Sequence, residues 1–509
     1  MYRSIQAGSL AFLLLTATLG VAQQNGTPVE GKLVKETFDA AFLDGNRAGY
    51  IHTSVRELER NGQKLYATRV YLELTLRRFQ DVVRQQVESG TVETDAGKVT
   101  AVWMTQGLGK DQKLTLAGTV DGEQLVVKVS GPMNLERKIP WNDEVIGLYR
   151  EQQIFKEKKA KPGDKFSYQH YEPMVNAVVT VQAVVKDFEA VEIGKTKRLL
   201  LRVETVPEKI LTVQLPPTTF WLDKDLQVVR TQTDMPSLGQ LSTLRTTKEV
   251  ALSPVTPAQI TDIGISQLIP LNRRIPRPHD TSAAVYKLTL PADEEPAKSI
   301  AADNRQKIEN IKGKSFELHV RALRKPENVK EYGKPAEEFL KSNYFINSDD
   351  AKVQELAKKA VGAETDPWRK AQRIEKWVHD NMKILNFTEA MATADHVAKT
   401  LEGDCTEHAM LTAAMCRAAG IPARTAIGVI YVDLPKGPVF GYHMWTEVYV
   451  QGQWLGLDAT LGRGFVGAGH IKITDHSWHE TRSLAPLLPV MRVMLGKVAI
   501  EVVRVDNGD

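Results

Sequence analysis

The sequence predicts a multidomain chain: a mostly antiparallel β N-terminal region followed by an α+β C-terminal domain. Three observations predict it. The chain has 509 residues, enough for about two to four domains with substantial cores. Strand-like segments with period-2 alternation crowd residues 30 to about 275, whereas helical spacing begins at Pro335. Between these regions Pro254, Pro257, Pro270, Pro276 and Pro278 interrupt regular structure. The predicted organisation is a leader at 1–22, a β-rich domain of unassigned role at 23–275, a β/linker segment at 276–334 and the α+β domain at 335–509.

Composition is that of a globular protein, with 42% hydrophobic and 25% charged residues. A formal net charge of +4 over this length, without a dense basic tract, gives no reason to expect nucleic acid as a partner. At the N-terminus, Met1-Tyr2-Arg3 supplies a short positive region and Leu10 to Leu19 an apolar run. Gly20-Val21-Ala22 then offers small residues at a cleavage position. This layout predicts a secretory leader and an exported, periplasmic or extracellular protein. No cysteine follows the apolar run to carry a lipid, and no later segment is long and apolar enough to span a membrane.

In the first half the strand candidates include Tyr66–Leu76, Gly90–Met104, Gln124–Ser130, Ala177–Val185, Leu199–Val206, Lys209–Leu215 and Val228–Thr233. They are joined by turn residues such as Asp121-Gly122. This half contains no nucleophile pattern, metal-ligand spacing or phosphate loop, so no catalytic residue is named in it. Ala284–Leu290 and Ser315–Val320 read as further strands separated by a charged, polar stretch. Asp350–Val361 reads as a helix. Asp366-Pro367-Trp368 opens another, with Asp366 as N-cap and Pro367 at the first helical position. Ile374, Trp377, Val378 and Met382 recur at helical spacing, which makes Trp377 a core residue.

Gly403 to Arg424 organises the second half. Asp404 is an N-cap, Glu407 completes a capping box, and Ala409, Ala413, Ala414 and Ala418 favour a slim, closely packed helix. Gly420 and Pro422 end it. Cys405 therefore lies in the first turn, where free N–H groups and the helix dipole favour a thiolate. Asp404 opposes this, so a nearby imidazolium has to outweigh it. The only other cysteine, Cys416, is eleven residues further on, about 16 Å along the helix axis. A disulfide requires Cα atoms within about 7 Å, so the two do not pair while the helix is intact. Cys416 reads as a small buried residue.

Downstream, Thr425–Val432 is apolar and reads as a buried central strand. Tyr442–Val450 and Trp454–Ala459 flank Gln451-Gly452 as a hairpin. With Val450 facing Gln453, Asp458 is the diagonal neighbour of His443 on the same sheet face, and a one-residue slip would separate them. Cys405, His443 and Asp458 have the chemistry of a thiol triad: nucleophile, proton carrier and orienting acid. The Cys405 N–H is one oxyanion donor, and the second is unplaced. Glu407 reads as a cap, His408 as structural, and Trp445, Glu447 and Trp454 as packing around the triad. His470, Asp475, His476 and His479 carry metal-capable groups but lack convergent helical spacing. They read as a polar loop near the site's rim, and no metal is expected.

Four blocks, G-D-C-T-E-H-A, R-A-A-G-I-P-A-R, H-M-W-T-E-V-Y and W-L-G-L-D-A-T, resemble the transglutaminase-like superfamily, a branch of the papain-like thiol enzymes common in bacterial exported proteins. The resemblance runs in the family's order over roughly residues 340 to 480. It implies an α+β papain-like/transglutaminase-like fold, with Cys405 as nucleophile, His443 as base and Asp458 as orienting acid. It also implies amide chemistry on a peptide or protein substrate, by hydrolysis or acyl transfer. No acidic loop matches the calcium site of animal members, so no cofactor is expected. A binding or scaffold role carried by the β half stays open as the alternative, and the sequence does not address oligomeric state.

Overall fold

The computed structural model describes residues 31–507, apart from short stretches at 79–80, 108–112, 131–134, 194–195, 210–214, 236–238, 258, 262–267, 328–332, 385–391, 480–487 and 496. The leader expected at 1–22 lies outside the described residues, as does most of the strand expected at Lys209–Leu215. The chain divides into two compact units at Ser266/Gln267.

The first unit is a fifteen-stranded sheet in which nearly every strand pairs with its neighbour in sequence. Lys32–Leu43 pairs with both Asn46–Arg60 and the last strand, Gly239–Thr246, which joins two meanders into one sheet. Pairing is antiparallel except where Val145–Ile146 lies parallel to Lys165–Glu172. Short hairpin turns produce this topology. Asp44-Gly45 (φ 49° and 80°) and Asn61-Gly62 (φ 52° and 73°) hold the left-handed pair that a two-residue hairpin requires. Gly90–Met104, read as one run, is in fact parts of two strands, Asp81–Thr94 and Val99–Gly107. The chain reverses between them at Gly97 (φ 81°), a turn that the surrounding β-branched residues conceal.

Among the described residues the second unit carries two antiparallel sheets and a short parallel pair, Lys383–Ile384 with Glu402–Gly403. One consists of Gln306–Lys312, Ser315–Arg321, Ala283–Thr289 and the C-terminal Ala499–Asp506. The polar stretch expected to separate two strands thus contains a third, Gln306–Lys312, whose residues are mostly exposed and so carry no apolar alternation. The other sheet orders Ile269–Pro270, Gly437–Val450, Ala423–Leu434 and His470–His476, with Gln453–Leu457 also on Gly437–Val450.

Asp350 caps Ala351–Val361, and Asp366 caps Pro367–Asn381 by accepting from Arg369 N–H at 2.8 Å. Together with Ala394–Thr400 these helices surround Cys405–Ala418, which also lies on the strand Gly437–Val450. Thirteen of the fourteen residues of this helix are buried, Cys405 to Arg417. A helix enclosed on all sides has no polar stripe, and its alanines let four neighbours approach closely. Thr446 Oγ1 donates to the Ala409 carbonyl at 3.0 Å and ties the helix to the strand.

Candidate active site

Cys405 is the first residue of the enclosed helix and is 4% exposed. A capping box closes its N-terminal turn. Asp404 Oδ1 accepts from Thr406 N–H at 2.8 Å and Thr406 Oγ1 at 2.7 Å. Glu407 accepts from the Asp404 N–H and, through its other oxygen, from the Ala392 N–H, each at 3.0 Å. Burial, reinforced by the adjacent Asp404 charge, pushes the Glu407 carboxyl well above the usual range. His408 donates from Nδ1 to the Asp404 carbonyl at 2.6 Å, and burial keeps its imidazole neutral by lowering its pKa. Gly403 (φ 148°) admits no side chain, because a Cβ there would meet Glu407 Cβ at 2.3 Å. Helix entry is thus rigidly built around the cysteine.

His443 and Asp458 are brought together by the hairpin. Gln451 (φ 50°) and Gly452 (φ 79°) form its turn, and Val450 faces Gln453, the register assumed from sequence. His443 Nε2 lies 2.8 Å from Asp458 Oδ2, with both side chains almost wholly buried. Asp458 Oδ1 accepts from Thr460 N–H at 3.0 Å and Thr460 Oγ1 at 2.6 Å. Burial disfavours the Asp458 carboxylate. Attraction to His443 and hydrogen bonds from His443 and His470 outweigh that and hold it well below the usual range. An ionised carboxylate only accepts, so when the His443 ring holds a single proton that proton sits on Nε2. Its Nδ1 is then a bare acceptor, and that atom has no hydrogen-bond partner among the described residues. The Trp445 ring lies alongside, 6.3 Å between centroids and 21° from parallel.

Two further residues contact Asp458. The sequence predicts a polar loop at His470, whereas His470–His476 is a strand paired with Ala423–Leu434. Ile471 and Ile473 alternate with His470 and Lys472, a period-2 signal hidden by the polar members. His470 is fully buried and its Nε2 lies 3.0 Å from the same Asp458 Oδ2. Gly428, paired with both His443 and Lys472, permits this approach, since a Cβ would sit 1.9 Å from the Ile471 carbonyl oxygen. Glu375 accepts from Asp458 N–H at 3.2 Å and Gly464 N–H at 2.8 Å. Burial, then the Asp458 charge, raises its carboxyl to about 8. With Trp368, Ala371 and Val378 it forms the inward stripe of its helix. A carboxylate at that spacing was the available signal.

Among the described residues, Asp475, His476 and His479 join no metal-capable group. Asp475 pairs with Arg424 and Lys472, and His476 Nδ1 accepts from the Trp478 N–H. Donor atoms of His443, Asp458 and His470 lie within 4.8 Å of one another, a convergence that their mutual hydrogen bonds account for. Glu447 bonds Arg424 and Lys472.

Residues 354–459 match the family model described as the transglutaminase-like superfamily, so the resemblance read from the four sequence blocks is borne out over that core. An uncharacterized protein of Haemophilus influenzae is 36% identical over 104 residues, 19% of this chain and 28% of that protein's length. A candidate cysteine protease structure from Cytophaga hutchinsonii shares 19% identity, covering 43% of this chain and 83% of its own, with a TM-score of 0.29. A β-barrel-like protein of Brucella abortus, with a domain of unknown function, shares 14% identity, covering 42% of this chain and 95% of its own, with a TM-score of 0.30.

Proposed function

We propose that this chain is an exported thiol-dependent amide hydrolase or acyltransferase, and that Cys405, His443 and Asp458 act as nucleophile, base and orienting acid. The observation that carries the reading is the state of His443. Its Nε2 is committed to Asp458, and its Nδ1 is left as an unoccupied acceptor within a transglutaminase-like core. In the reaction, the Cys405 proton passes to His443 Nδ1 and the sulfur attacks the amide carbonyl carbon. His443 returns the proton to the leaving nitrogen as the C–N bond breaks, and a thioester remains. Water or a primary amine then attacks the thioester, gives up its proton to His443 and releases the thiol. Asp458 holds the imidazole in the tautomer this requires and offsets its transient charge. Residues 335–509 are the catalytic domain in this reading, with an α+β papain-like arrangement acting on a peptide or protein substrate.

The test is alkylation of Cys405 by iodoacetamide across pH, in wild type, His443→Ala and Cys405→Ala. An activated thiol labels fast near or below neutral pH and slows at least tenfold without His443, while Cys416 stays inert. Equal, slow labelling of wild type and His443→Ala would refute the reading and favour a binding or scaffold protein.

A further inference from the structure

We propose that His470 is a positioning residue of this thiol centre: it donates Nε2–H to the Asp458 oxygen that also accepts from His443, and so limits how tightly Asp458 holds the His443 proton. The assignment rests on the function proposed above.

The geometry leaves His470 no other polar role. Its ring is fully buried, its Nε2 is 3.0 Å from Asp458 Oδ2, and its Nδ1 has no partner among the described residues. The carboxylate accepts only, so the His470 proton sits on Nε2, as it does on His443. Burial pushes the imidazole pKa down to about 4, which keeps His470 a neutral donor throughout the working range. A buried imidazole with one unbonded nitrogen is a costly way to fill a core, where an apolar ring would serve. Residues that break a local rule of stability cluster where function requires them.

The consequence follows from sharing one oxygen. Asp458 Oδ1 is occupied by Thr460, so both imidazoles compete for Oδ2. A second donor withdraws charge from that oxygen and weakens its grip on an imidazolium at His443. His443 has to release its proton to the leaving amine, so a carboxylate that holds it too strongly slows the step it supports. His279, at 6.2 Å between ring centroids, and Arg305, whose Nη2 donates to the His470 carbonyl at 2.9 Å, also face His470. Glu375 lies beyond Asp458. All three are unchanged between the variants below, so the comparison isolates His470.

The experiment compares wild type, His470→Phe and His470→Gln, each checked for folding by circular dichroism. Phe keeps a ring beside Trp445 and His279 without a donor, and Gln restores an Nε2–H at similar reach. The expected result for His470→Phe is an alkaline limb of Cys405 alkylation displaced upward by about one pH unit. Turnover of an amide substrate should fall about tenfold in kcat with KM unchanged. His470→Gln should return both towards wild type. A Phe profile superimposable on wild type, or a Gln variant indistinguishable from Phe, would overturn the assignment.

Nitrogen-15 NMR of the ring nitrogens separates this from failure of the proposed function. Even with an unreactive Cys405, the shared bond predicts Nε2–H tautomers at both histidines and a displaced His443 Nε2 resonance in His470→Phe. An unmoved resonance would refute the shared bond itself.

Discussion

Replacing Asp458 by Asn exchanges one oxygen for an amide nitrogen at almost constant volume, so its effect is electronic. Oδ1 keeps its two bonds from Thr460. The new Nδ2–H₂ then faces His443 Nε2 and His470 Nε2, at 2.8 and 3.0 Å from the present oxygen, and both of those atoms donate. Flipping the amide only moves the conflict to the Thr460 N–H. Relief requires the His443 proton to move to Nδ1, which in the proposed reaction removes the acceptor for the Cys405 proton. Hydrogen bonds to a charged group are worth about 1.5–3 kcal/mol each, so losing two costs about 3–6 kcal/mol. If that loss falls on the transition state, the rate drops by about two to four orders of magnitude.

The assay is the second-order rate of Cys405 alkylation across pH, with melting temperature measured alongside. Asp458 is held well below its ordinary 3.8 in the folded chain. Its contribution to stability is therefore complete above that pH and is lost as pH falls through the folded value. The difference in melting temperature between wild type and Asp458→Asn should persist at neutral pH and close in strong acid. A folded Asp458→Asn protein that labels like wild type at every pH would refute the orienting role.

Glu375 supplies a prediction in the opposite direction. Its folded pKa of about 8 exceeds the ordinary 4.5, so between these values the unfolded chain gives up a proton that the folded chain keeps. Stability then falls as pH rises, by up to about 1.4 kcal/mol per unit, and levels above 8. His470, lowered from 6.5 to about 4, acts oppositely only below pH 6.5. Thermal melts of wild type and Glu375→Gln between pH 6.5 and 8 should show the decline in wild type and its absence in the variant, beyond a pH-independent cost of the amide facing N–H donors. Lys472 is fully buried among Glu447, Asp303 and Asp475. Lys472→Met leaves these carboxylates with too little positive charge and should cost about 3–5 kcal/mol in denaturant unfolding. A loss under 1 kcal/mol would show that the network is not a coupled unit.

The features readable from sequence are those set by neighbours along the chain. Asp350, Asp366 and Asp404 declare their helices because an N-cap bonds N–H groups two or three residues away. Gln451-Gly452 declares the hairpin because few residues accept two left-handed conformations in succession. That turn sets the register, and the register alone puts His443 and Asp458 on one face. The strand Gln306–Lys312 was illegible because exposure masks its alternation. The break inside Gly90–Met104 falls at Asp95-Ala96-Gly97, a short turn signal that the longer β-forming segments on either side outweigh.

The sequence by itself determined the cysteine helix, the hairpin, the transglutaminase-like core and the set Cys405, His443 and Asp458 as candidates, since each follows from local spacing and motif. Only the tertiary structure decided who surrounds Asp458. Glu375 comes from a helix 83 residues earlier and His470 from a strand 12 residues later. Their contacts depend on how helix and sheet pack, and on Gly428 letting two backbones close. A carboxylate's partners are chosen by what is near it when water is gone, and packing decides that.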